Sequence, residues 1–190
     1  MNLLRNLAMT ALASGCLAST SAQALSVEFL GPSQVLAGNS FSLEVVVSGV
    51  FDTDPYEELL AFGFNVAVGD SNLATLTGAS VSAPFDDDSA MFPETGVAGS
   101  TFEGIASGTS EPIRLARLDF AAGPSAGLLS ISATGLASDP NQGLFLVSAG
   151  QVGFSAATQV EILAVPEPET YAMLLAGLGI LAASVRRRMS

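Results

Sequence analysis

The stretch Phe41-Ser42-Leu43-Glu44-Val45-Val46-Val47-Ser48 sets Phe41, Leu43, Val45 and Val47 on one side of the chain and Ser42, Glu44, Val46 and Ser48 on the other. A period of two is that of a half-buried strand. Working outward, the same period returns three times. Phe62, Phe64, Val66 and Val68 alternate with Gly63, Asn65 and Ala67; Ala116, Leu118 and Phe120 alternate with Arg117 and Asp119; Leu129, Ile131 and Ala133 alternate with Ser130 and Ser132. Val27–Leu30, Leu73–Leu76, Thr101–Ala106, Leu144–Ser148 and Val152–Leu163 are further strand candidates. Gly, Pro, Asp and Ser clusters separate them at roughly 8–15 residues, near the spacing of an all-β sandwich. No helical period with caps occurs between residues 25 and 165. The reading is one all-β domain over residues 25–163, a two-sheet antiparallel sandwich of about nine strands, with Phe62, Phe64 and Phe120 in its core.

Composition narrows the chemistry. The 190 residues include no His, Lys or Trp, and the single Cys is Cys16. Imidazole-based nucleophilic catalysis is excluded, and so are zinc and most transition-metal sites. Six Arg stand against 18 acidic residues, a net charge of −12 that repels phosphate backbones and argues against nucleic acid. Arg114 and Arg117, the two cations of the body, are expected to balance nearby acids across a sheet face. No catalytic pair of carboxylates stands out, so no enzyme is expected. Tyr56 is the one body aromatic with a claim to be an exposed ligand contact.

Residues 1–24 have the layout of a secretory signal helix: Arg5 near the start, the apolar run Leu7–Leu17, then Ala22-Gln23-Ala24 as an A-x-A cleavage site at Ala22 and Ala24. Ala13-Ser14-Gly15-Cys16 resembles a lipobox, with Ala13 where Leu is usual; cleavage after Ala24 is the favoured reading and discards Cys16.

Two acidic clusters invite a calcium reading. Asp52 and Asp54, with Glu57 and Glu58, precede the strand at Ala61; Asp86, Asp87 and Asp88 follow Pro84-Phe85. Two such loops at one end of a sandwich could supply oxygen ligands, but neither has EF-hand spacing. Solvated loop decoration is the competing reading, and no other cofactor is implied.

Residues 164–190 form a third unit. Pro166-Glu167-Pro168 is expected to stay extended and open to a protease. Tyr171–Val185 follows without a charge, and Arg186-Arg187-Arg188 close the run. A helix over 171–185 would be about 22 Å long, short of the ~30 Å hydrocarbon core, so it is expected to span a membrane only marginally. Tyr171 would sit at one interface and Arg186, Arg187 and Arg188 at the cytoplasmic one.

Two resemblances follow from these residues. Val27-Glu28-Phe29 with Pro32, Val35 and Gly38, then Ala61–Val66, Leu115–Phe120 and Gly127–Ile131, resemble the cohesin-like β-sandwiches, which implies a jelly-roll body related to carbohydrate-binding modules. Pro-Glu-Pro, short apolar helix and terminal arginines together look like the PEP-CTERM sorting signal of Gram-negative bacteria. That resemblance implies processing by an exosortase at Pro166, Glu167 or Pro168, transient contact with the inner membrane, and arrival at the cell surface or extracellular matrix. Exopolysaccharide, a biofilm setting or a matrix protein partner go with it. The expected function is an exported, non-catalytic surface protein; the alternative is a carbohydrate- or protein-binding module, and the rival for the tail is a permanent anchor.

Overall fold

The computed structural model describes residues 25–165 and 168–188. The signal segment, with Ala22, Ala24 and Cys16, lies outside the described residues, as do Pro166 and Glu167. Twelve strands and one helix follow in order: β1 (Ser26–Leu30), β2 (Gln34–Leu36), β3 (Ser40–Ser48), β4 (Glu58–Val68), β5 (Ala74–Val81), β6 (Asp86–Asp87), β7 (Val97–Ala106), β8 (Ile113–Ala122), β9 (Gly127–Gly135), β10 (Gly143–Leu146), β11 (Gly150–Val152), β12 (Phe154–Leu163) and α1 (Pro168–Arg188).

The smaller sheet runs β1-β3-β8-β5. The larger runs β11-β10-β4-β9-β12-β2, with β7 on β4 and β6 on β7. β4 organises the second sheet. Its first half pairs with β10 on one edge and β7 on the other, and its second half pairs with β9. One expectation needs correcting: the sandwich is not wholly antiparallel, because β2 runs parallel to β12, with Val35 opposite Ile162. β2 is reached by the tight turn after Leu30 and carries only Val35 inward, too short a signal for periodicity to register.

The alternation seen in the sequence becomes the core. Leu43, Val45 and Val47 of β3, Leu118 and Phe120 of β8, and Leu129, Ile131 and Ala133 of β9 are buried. So are Phe62 and Phe64 of β4. Their rings stack at 5.9 Å, Phe85 meets Phe62 edge-on at 5.0 Å, and Phe41 stacks on Phe120 at 5.1 Å. Where the period fails, a bulge explains it. Val46 is buried between two buried valines because the β3–β8 register shifts between Val45 and Val46. A shift between Leu59 and Ala61 likewise lets Leu59 and Phe62 share the inner face. The expected single strand over 152–163 is two, divided at Gly153. An added Cβ there would stand 3.0 Å from the amide nitrogen of Ala137.

Both body arginines meet acids across or along the small sheet, as expected. Arg114 Nε lies 3.1 Å from Glu44 on the neighbouring strand, and Arg117 Nε lies 3.0 Å from Asp119. Ser42 donates to Asp119 at 2.6 Å and accepts from Arg117 at 2.7 Å. These bonds, Ser42 first and Arg117 second, hold the Asp119 carboxyl below its usual range.

The C-terminal segment departs from expectation twice. Pro168 opens α1 instead of remaining in an extended linker. The first helical position needs no N–H donor, so proline fits there. The helix therefore runs from Pro168 to Arg188, with Arg186 and Arg187 near its negative end, placed to favour the helix dipole. The expected transmembrane helix over 171–185 is the second correction: no helix among the described residues is long and apolar enough to cross a membrane. The physical reason is length, since the charge-free run falls short of the ~20 residues a span requires. No described residue of α1 joins the sandwich core.

Candidate functional site

The outer face of β4 carries a cleft with both apolar and polar lining. In register across three strands, Phe145 of β10, Ala61 of β4 and Ser100 of β7 lie side by side. Ala61 is followed on the same face by Gly63, and Gly63 is opposite Gly143 and Ala98. This floor of small residues lets two loops fold over it. A Cβ on Gly63 would stand 2.0 Å from the carbonyl oxygen of Asn141 and 3.0 Å from the Thr95 side chain. Only glycine admits the two loops together.

Each loop is fastened by hydrogen bonds, some of its own and some from neighbouring strands. In the segment between β6 and β7, Ser89 Oγ accepts from Ala98 N–H, Asn65 Oδ1 accepts from Gly96 N–H, and Thr95 N–H donates to the Phe92 carbonyl at 2.8 Å. In the segment between β9 and β10, buried Gln142 accepts from Leu136 N–H and donates to Asp139, while Gln151 donates to the carbonyls of Asp139 and Gln142. Between these loops and the strands lies a cleft of about 230 Å³. Phe92, Phe145 and Pro140 form its apolar walls; Asp88, Ser100 and Asn141 supply its polar groups. A second lobe of about 250 Å³ continues past Phe92 and Asn141 to Met91 and Glu94.

The polar groups are only partly committed. Asp88 Oδ2 accepts from Ser100 Oγ, while Oδ1 takes no donor among the described residues. Asn141 uses its backbone N–H on Asp139, at 2.9 Å, and its carboxamide has no partner among the described residues. Among the described residues no arginine lines either lobe.

The acidic clusters serve mainly as local fasteners. Asp54 caps its own turn by accepting from Tyr56 N–H at 2.8 Å, and Asp52 is exposed on the same loop. Asp86 and Asp87 are exposed and pair with β7 as β6, where a loop was expected. Bonds from Ser89 lower the Asp87 carboxyl from its ordinary value. Among the described residues no group of three acids is placed to hold a metal ion. Glu57 is the exception in depth: it is 3% exposed and accepts from the backbone N–H groups of Ser148 at 2.8 Å, Ala149 at 2.9 Å and Glu58 at 3.1 Å. It ties the start of β4 to the β10–β11 turn.

Tyr56 is 86% exposed but lines neither lobe, so the structure does not bring it to the cleft. Phe92 and Phe145 are the aromatics that sequence reasoning passed over. Phe145 had a readable signal, since it falls on the opposite parity from buried Leu144 and Leu146. Phe92, in a loop, had none. Phe102, fully exposed on β7, lies outside the cleft. On the sorting side, Pro168 opens α1, Arg186 and Arg187 are exposed, and Tyr171 and Arg188 fall within the helix.

An all-β sandwich followed by a separate C-terminal helix is the class that these elements define. Residues 164–188 match the PEP-CTERM protein-sorting motif, so the chain carries that motif, and the motif implies processing by an exosortase. Among solved structures, a similar one is the cohesin module from a family 33 glycoside hydrolase of Clostridium perfringens. It is 10% identical, with a TM-score of 0.47, over 74% of this chain and 96% of that one. No curated protein sequence matches the chain.

Proposed function

We propose that the protein is an exported, non-catalytic component of the cell surface or extracellular matrix, delivered by an exosortase in a Gram-negative cell that makes exopolysaccharide. The observation that carries this reading is the sorting motif over 164–188, beginning directly where β12 ends at Leu163. A folded sandwich is thereby followed at once by a processing segment. The exposed apolar side chains of α1, among them Met173, Leu174, Leu175 and Ile180, suit it to contact a membrane while the exosortase acts. Cleavage near Pro166–Pro168 would separate the body from α1 and its arginines. The body then keeps sixteen acidic residues against Arg114 and Arg117, a charge that favours solubility and repels anionic lipid.

Intact-mass measurement of the mature protein from an exosortase-positive strain tests this. The expected product lacks residues 1–24 and everything beyond the Pro-Glu-Pro motif. A product retaining Leu174–Val185 would defeat the sorting reading and promote a permanent anchor. A second reading, the sandwich as a carbohydrate- or protein-binding module, is favoured by the cleft over β4.

A further inference from the structure

We propose that the cleft over β4 binds one neutral sugar ring of a polysaccharide chain, an inference that rests on reading the sandwich as a binding module. Size comes first. The lobe beside Phe145, about 230 Å³, is below the ~300 Å³ at which drug-sized ligand sites begin, so it takes a single ring. The chemistry of the lining selects the ring. Phe92 and Phe145 present aromatic surfaces, whose negative faces attract the weakly positive C–H face of a pyranose. Asp88 Oδ1 is an uncommitted carboxylate acceptor suited to a hydroxyl donor. The Asn141 carboxamide offers a donor and an acceptor side by side, which is the pattern that neighbouring hydroxyls require.

Charge then selects among sugars. The two arginines of the body both stand on β8 of the opposite sheet, engaged with Glu44 and Asp119. The cleft itself carries Asp88, and the adjoining lobe carries Glu94. A uronate or sulfated ring would bring a further negative charge with no cation to meet it. The site therefore takes neutral hexose units. The second lobe, sharing Phe92 and Asn141 with the first, gives the chain a path out of the cleft on one side.

Affinity electrophoresis of the mature full chain tests this, in gels carrying a neutral glucan, mannan or galactan, with polygalacturonate as the anionic control. At least one neutral gel should retard the protein, and polygalacturonate should not. Asn141→Ala removes a side chain with no partner among the described residues, so it should keep the wild-type melting temperature and weaken binding about tenfold, in line with one or two lost hydrogen bonds. Phe145→Ala should weaken it at least as much, and Phe102→Ala, outside the cleft, should leave it unchanged. No retardation in any neutral gel, equal retardation in polygalacturonate, or binding untouched by both cleft variants would overturn the proposal. So would competition by an apolar peptide but not by free hexose, which would assign the cleft to a protein partner. Mass measurement of the same samples reports on sorting independently, so failure of one reading leaves the other standing.

Discussion

Replacing Glu57 by alanine removes a buried carboxylate that accepts from three backbone N–H groups and has no cationic partner among the described residues. A hydrogen bond to a charged group contributes about 1.5–3 kcal/mol, which sets an upper range well above 4 kcal/mol for three. Ser148 and Ala149 are themselves exposed, however, so water can satisfy their N–H groups once the carboxylate is gone. Only the Glu58 N–H, half-buried, has poor access to solvent. The expected loss is therefore about 2–4 kcal/mol, or roughly 6–12 °C in melting temperature for a domain of this size. Glu57→Gln keeps one acceptor oxygen and turns an NH₂ toward a donor, so it should fall between wild type and alanine. Circular dichroism melts of the mature protein at pH 7 give the comparison, and hydrogen exchange at Ser148 and Ala149 gives the local view. Phe145 sits in the strand that leads into this turn, so Glu57→Ala should also loosen one wall of the cleft from a distance. Melting within 2 °C of wild type, about the resolution of such a scan, would refute the clamp.

The remaining predictions concern the core, the crossing loops, the small sheet and calcium. Phe62→Ala should cost about 3–5 kcal/mol, because it empties the space shared with Phe64 and Phe85; chemical denaturation reads it as a lower midpoint with unchanged slope. Gly63→Ala should destabilise by displacing the Asn141 backbone, and should weaken saccharide retention more than its effect on melting alone would suggest. The folded-state carboxyl of Asp119 is lowered, so its contribution is fully present above the ordinary value of 3.8 and is lost as pH falls through the lowered one. Asp119→Asn should accordingly flatten that part of the acid limb of the stability–pH curve. Millimolar Ca²⁺ should leave the melting temperature unchanged; a rise that Asp86→Ala with Asp88→Ala abolishes would restore the calcium reading.

How much of this was legible beforehand depends on the range over which each signal acts. Strand identity is local: alternation in Phe41–Ser48, Phe62–Val68 and Leu129–Ala133 is imposed by the pleat, and the structure buries the residues the period selected, Val66 and Val68 only partly. The sorting motif is likewise contiguous, so three ordered parts over residues 164–188 could be read directly. The helix start at Pro168 was missed because proline breaks a helix inside it but not at its first position.

The cleft belonged wholly to the tertiary structure. Its floor comes from β4, β7 and β10, and its walls come from two loops, with Asp88 and Phe145 separated by 57 positions in the chain. No window of sequence contains that arrangement. Strand register aligned Phe145, Ala61 and Ser100, and glycine at position 63 let Asn141 and Thr95 approach. Glu57 makes the same point from the other side. In sequence it was one acid in a cluster of four and read as surface charge; folding carried Ser148 and Ala149 to it and buried it. Sequence by itself determined the long strands and the sorting motif, because both depend on neighbouring residues. Which carboxylate fastens the fold, and which aromatics line a cleft, depended on partners brought together from distant parts of the chain.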